Sequence, residues 1–145
     1  MWKRIRAAFG GGDSAAAASR SYEAEAAKWC QLAAAQGNAD AQFNLGVAYG
    51  KGQGVRQDHA EAAKWYRLAA AQGFASAQFN LGFMYVTGQG VRQDYVQAHM
   101  LWNLAAAQGV ADAIKTRDRA ANLMTPAQIA EAQRLAREWK PTPAR

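Results

Sequence analysis

Lys51 stands among glycines in "GKGQGVRQD", residues 50–58. A lysine in a glycine-rich turn can cradle phosphate, because backbone N–H groups and the ammonium converge on the same oxygens. Such a loop also needs Ser or Thr directly after the lysine, to reach magnesium, and a helix opening at that point. Here Gly52 follows Lys51, so the hydroxyl is missing. His59, His99 and Cys30 are the other residues that could act as base, ligand or nucleophile. Neither histidine has a carboxylate or second ligand placed by spacing, so both read as surface histidines. Cys30 is the only cysteine, which excludes an internal disulfide framework and leaves a cysteine-based zinc site without ligands; it reads as a small buried hydrophobe. Neither G-x-S-x-G nor H-E-x-x-H occurs. The residues argue for no enzyme, and no catalytic, metal or cofactor residue is assigned.

The charge excludes another class. The chain has 145 residues, half of them apolar, with a net charge of +6. Residues 1–12 contribute +3 and residues 113–145 contribute +4, while 13–112 sum to −1. A groove following a nucleic acid needs cations repeated along the body, because affinity comes from counterion release at successive phosphates. The basic ends do not supply that, so no nucleic-acid partner is expected. No apolar run approaches the ~20 residues of a membrane span, and the basic start lacks the apolar core of a secretory signal. The expectation is a cytoplasmic protein.

What must position these residues follows from self-similarity. Residues 77–112 repeat 41–76 with 22 of 36 positions identical. "EAEAAKWCQLAAAQGNAD", residues 23–40, matches the second half of the same unit. A period of this size marks a solenoid, in which each unit buries its apolar face by stacking on its neighbours. In the second copy "VTGQGV" replaces "GKGQGV": Gly50 and Lys51 are not retained, while the turn glycines are. The loop therefore reads as an inter-helix turn rather than a phosphate site.

Within a unit, Asp40, Ser76 and Asp112 are placed to cap a first helix running from about Ala41 to Tyr49. A second helix starts after Asp58 or Asp94, with Glu61 or Gln97 three residues on in a capping-box arrangement, and ends at Gly73 or Gly109. Beyond the repeats, "TPAQIAEAQRLAREWKP" predicts a one-sided helix. Thr125 is its N-cap, Pro126 its first residue, and Ile129, Ala132, Leu135, Ala136 and Trp139 form its apolar stripe. It suits a terminal lid on a solenoid.

The pattern Leu45, Gly46, Tyr49, Gly52, Gly54, Val55, Asp58, Trp65 and Gly73 recurs in the second copy. There it reads Leu81, Gly82, Tyr85, Gly88, Gly90, Val91, Asp94 and Gly109, with Leu101 in place of the tryptophan. It resembles the Sel1-like repeat, a relative of the tetratricopeptide repeat. The resemblance implies an all-α, right-handed α-solenoid of stacked helix-turn-helix units with a 36-residue period and a C-terminal capping helix. It implies a non-enzymatic adaptor or scaffold for a protein or peptide partner. A hydrolase, like certain cysteine-rich relatives, is the third class considered, and one cysteine does not support it.

On this frame the chain divides into a basic N-terminal segment or degenerate first repeat (1–21), a half repeat (22–40), full repeats (41–76 and 77–112) and a divergent end (113–145). The first helices of such hairpins line a concave surface. Gln42, Asn44 and Val47, with Gln78, Asn80, Phe83 and Met84, are the candidate partner-binding residues there. Asn44 and Asn80 could equally hydrogen-bond the Leu-Gly backbone beside them. Residues 1–9, "MWKRIRAAF", could touch an anionic membrane weakly. An array this short could also associate with a second copy at an end.

Overall fold

The computed structural model describes the backbone of residues 11–143, with side chains from Ala15 onward. The described residues form seven helices and no strand: α1 (Gly11–Ala35), α2 (Ala39–Lys51), α3 (His59–Ala71), α4 (Ala75–Thr87), α5 (Tyr95–Ala107), α6 (Ala111–Ala121) and α7 (Pro126–Glu138). Helices adjacent in sequence pack together from α1 to α6, and α7 packs on α5. This is the right-handed α-solenoid, with α2–α3 and α4–α5 as its two complete hairpins.

Two kinds of turn repeat. Between units, Gly37, Gly73 and Gly109 adopt φ of 95°, 92° and 96°. The residue after each donates back to a carbonyl five residues earlier: Asn38 N–H to Ala33, Phe74 to Ala69, Val110 to Ala105. These are Schellman closures, which satisfy the free carbonyls of the preceding helix. The next helix starts at once, two residues before the sequence-based start. Its N-caps are Asn38, Phe74 and Val110, not Asp40, Ser76 and Asp112. Only Asn38 caps through its side chain. Phe74 and Val110 instead contribute apolar contact to the cores beside them. Asp40 and Asp112 lie in the first helical turn, where the helix dipole favours an anion.

Within a unit, Asp58 and Asp94 cap as expected, accepting from Glu61 N–H and Gln97 N–H at 3.1 Å. Neither completes a capping box. Their own backbone N–H groups are taken by Tyr49 and Tyr85 carbonyls at 2.9 Å, which leaves nothing for the residue three on to bond. Thr125 and Gln128 do form the full reciprocal box. The second loop glycine has a further duty. A side chain on Gly54 would collide with the Glu23 carbonyl of α1, and one on Gly90 with the His59 carbonyl at the start of α3. Each loop thus docks on the unit before it, backbone to backbone.

The helix glycines are explained by ring packing. A Cβ on Gly46 would stand 2.7 Å from Tyr66 Cδ1, and Gly82 faces the Trp102 indole in the same way. Trp102 is fixed there by its Nε1–H donating to the Phe79 carbonyl at 3.0 Å. The core itself is small-grained: Ala62, Ala63, Ala69, Ala77, Ala98 and Ala105 are buried between the rings and Leu45, Leu81 and Leu101.

Both ends depart from the period. The stretch "SAAAASRSY", which aligns with the loop 50–58, is helical and extends α1 back to Gly11. At the far end Arg117 occupies the position of Leu45 and Leu81; it donates to Asn103 Oδ1 at 3.0 Å and pairs with Asp118. Helix α7, with Ala132 fully buried, lies along α5 instead of completing a third hairpin. The chain then crosses back to earlier units. The Trp139 ring lies over Gly73, and Thr142 N–H donates to the Ala71 carbonyl at 2.7 Å.

Candidate functional site

The candidate residues separate by burial. Gln42 and Gln78 are not exposed on any face: they are 4% and 0% accessible. Gln42 Nε2–H donates to the Ala34 carbonyl at 3.1 Å and Gln78 to the Ala70 carbonyl at 3.2 Å. Their Oε1 atoms accept from Gln72 and Gln108 at 2.9 and 3.0 Å, and Gln72 also donates to the Gly37 carbonyl. Buried amides must find partners: Gln42 and Gln78 each pair with a glutamine 30 residues on in the same unit and with a carbonyl of the unit before. Their polar atoms are spent within the array. Sequence reading took them for surface residues because an amide carries no signal of burial. The clue was the paired recurrence of Gln in "AQG" and "AQF".

Met84 is also buried, at 8%, and Val47 is half-buried against the central core. Phe83 remains 40% exposed; its ring meets Phe79 at 5.0 Å and Trp102 at 5.2 Å, both edge-on, so it is a rigid apolar surface. Asn44 is exposed, and Asn80 is half-buried with its amide 3.4 Å from the Tyr66 hydroxyl. Among the described residues neither asparagine bonds the Leu-Gly backbone beside it.

These residues converge on two pockets that are copies of each other. The first, about 190 Å³, is walled by Glu23, Ala26 and Cys30 of α1, Asn44 and Ala48 of α2, and Gln53 of the loop. The second, about 240 Å³, has His59, Ala62 and Tyr66 of α3, Asn80 and Met84 of α4, and Gln89, with Phe83 at its side. Each pair lies 36 positions apart. The framework of alanine, asparagine and loop glutamine is constant. The variable corners are Glu23 against His59, Cys30 against Tyr66 and Ala48 against Met84. The docking of Gly54 on Glu23 and of Gly90 on His59 sets the loop glutamine at the mouth. Sequence reading found the asparagines but missed the contribution of the preceding helix.

Each pocket offers an amide and an apolar floor; Cys30 is half-buried rather than fully buried, and His59 is half-buried at the start of α3. Burial of Tyr66 pushes its hydroxyl above the ordinary range, against the opposing bond from Asn80, so it stays a neutral donor and acceptor. Lys51 is exposed in the last turn of α2, where a cation suits the helix terminus. His99 is not a surface residue. It is 3% accessible, its Nδ1 stands 3.0 Å from the Asn103 amide, and burial first, then the Arg117 charge, lower its pKa against a smaller opposing pull from Asp118.

A larger cavity, about 480 Å³, lies elsewhere, between the C-terminal ends of α1 and α3. It is lined by Ala34, Trp65, Leu68 and Gln72 and closed by Thr142 and Pro143, so the chain's own end forms one wall. Residues 1–9, the expected membrane-contact segment, lie outside the described residues, and among those described no helix is long and apolar enough to cross a membrane.

Comparison with known proteins places the array. The family described as Sel1 repeat matches residues 16–38, 39–74 and 75–110. Among solved structures, the chain is similar to a protective antigen present in uropathogenic Escherichia coli strains that displays an SLR fold. The identity is 38% and the TM-score 0.77, over 80% of this chain and 25% of that one. It is also similar to a Sel1 repeat protein from Oxalobacter formigenes, with 41% identity and a TM-score of 0.62 over 63% of this chain and 37% of the other. The chain thus spans about a quarter and about a third of those two proteins. No curated protein matches it.

Proposed function

Because the chain belongs to the Sel1 repeat family, whose arrays are scaffolds for protein–protein interaction, we propose that it is a non-enzymatic adaptor. It binds an extended peptide segment of a protein partner across the two repeat-related pockets, on the face formed by α2 and α4. The observation that carries this reading is the recurrence of one pocket framework with changed corners. A constant amide pair, Asn44 with Gln53 and Asn80 with Gln89, suits the invariant backbone of a ligand, since an amide both donates and accepts. The variable corners suit its side chains.

Peptides selected on the purified protein from a randomised library test the proposal. Asn44→Ala, Asn80→Ala and Phe83→Ala should each weaken the selected peptides by about tenfold or more. Leu68→Ala, at the far cavity, should leave them unchanged. Peptides that lose affinity on Leu68→Ala and keep it on the other three would overturn the assignment of this face.

A further inference from the structure

Helix α1 presents an unpartnered aromatic face. Trp29 is the copy of Trp65 one unit earlier. Trp65 is half-buried, packed on the cluster of Ala34 of α1 with Ala41 and Leu45 of α2. Among the described residues Trp29 has no such cluster beneath it, and it is 70% exposed, beside Tyr22 at 73% and Leu32 at 58%. At 100° per residue, Ala18, Tyr22, Glu25, Trp29 and Leu32 fall within an arc of about 80°, opposite the buried Ala27 and Ala34. The three large side chains expose roughly 400 Å² of contiguous apolar surface, within the size range of a monomer's largest, functional patch. The face is a stacking surface by repeat equivalence.

The occupant follows from symmetry and charge. Head-to-tail stacking would set this face on the far end of another copy. That end, α6 and the turn after it, presents Lys115, Asp118 and Arg119 beside the exposed Ile114 and Leu123, and α7 covers the flank of α5. Its exposed large apolar side chains include no aromatic ring to meet Tyr22 and Trp29. Two α1 helices, in contrast, complement each other. An antiparallel pair centred near Ala26 sets Tyr22 of each copy beside Trp29 of the other on one side of the seam. On the other side it sets Lys28 beside Glu25, the only ionised group on the stripe. We infer that the Tyr22–Trp29–Leu32 face of α1 binds the same face of a second copy, forming a closed two-fold dimer.

Sedimentation velocity on the 145-residue chain from about 5 to about 500 μM tests this, since association is set by mass action. The expected result is a concentration-dependent shift from the 15.6 kDa monomer to twice that mass. Trp29→Glu should raise the dissociation constant by about tenfold or more. Lys28→Glu should weaken the dimer, and adding Glu25→Lys should restore it, a rescue that a misfolded variant does not give. A chain monomeric throughout, or a Trp29→Glu variant that dimerises like the wild type, overturns the inference. Deleting residues 1–10 should leave the dimer in place. A dimer that appears only after this deletion assigns the face to residues 1–10 and also overturns it. Peptide binding at the repeat pockets is read separately and is unaffected in every variant.

Discussion

Replacing Gly82 by alanine sets two effects of opposite sign against each other. At an open helical position the change stabilises by about 1 kcal/mol, because glycine loses more backbone freedom on folding. At Gly82 the new Cβ meets the Trp102 ring at its rigid five-membered edge, 2.6 Å from Cε2 and 3.0 Å from Cδ1. The ring cannot slide away without breaking its bond to the Phe79 carbonyl. Overpacking costs about 1–3 kcal/mol, and loss of a buried hydrogen bond a similar amount. The overlap wins, with a net destabilisation of about 3 kcal/mol, or a fall in Tm of about 10 °C for a chain of this size. Gly50 in α2 is the control: its φ is not positive, and its nearest neighbour would be Ala62 Cβ at an ordinary 3.9 Å. Gly50→Ala should therefore stabilise by up to about 1 kcal/mol. Urea denaturation followed by circular dichroism measures both. Equal effects at the two positions, or a Gly82→Ala variant as stable as the wild type, would refute the ring-packing account.

Gly90→Ala should be more damaging than Gly109→Ala. Both have positive φ, but only Gly90 meets a backbone carbonyl, and Gly109 faces open space; a melting-temperature difference of about 6 °C or more is expected. Gln78→Leu keeps the volume but removes two hydrogen bonds, to the Ala70 carbonyl, which keeps the Gly73 N–H, and from the Gln108 amide, and should cost about 1–2 kcal/mol, with amide exchange accelerating first at the α3–α4 junction. Stability should also depend on pH through His99. Its folded pKa lies below the ordinary 6.5, so the unfolded chain takes up the proton first, and stability held above pH 6.5 declines as pH falls through 6.5 towards the folded value. The slope has a ceiling of about 1.4 kcal/mol per pH unit. The urea midpoint should fall between pH 7 and 5.5 in the wild type and stay flatter in His99→Gln.

The sequence reading recovered the fold where one residue does one job. Asp58 and Asp94 cap, the loop glycines turn, and the 36-residue period gives the stacking, all from local chemistry. It failed where a residue answers to one distant in sequence. Gln42 and Gln78 look like surface amides until Gln72 and Gln108 are brought against them. His99 looks exposed because it aligns with Ala63, a buried position whose burial the sequence does not announce. The helix starts at Ala39, Ala75 and Ala111 were misplaced because capping chemistry favours Asp40, Ser76 and Asp112, whereas the Schellman turns fix the start geometrically. Of the pocket walls, the sequence picks out Asn44, Asn80 and Phe83 on the first helices. Their counterparts Cys30, Tyr66 and His59 were missed, because the partner helix belongs to the preceding unit.

The loop glycines carry a consequence for how such a gene can change. Surface loops ordinarily accept inserted or deleted residues. Here Gly54 must reach Glu23 while Asp58, four residues on, must reach Tyr49. One codon gained or lost between them releases one contact or the other. Copying whole 36-codon units lengthens the array with both contacts kept, whereas a smaller insertion within this loop does not.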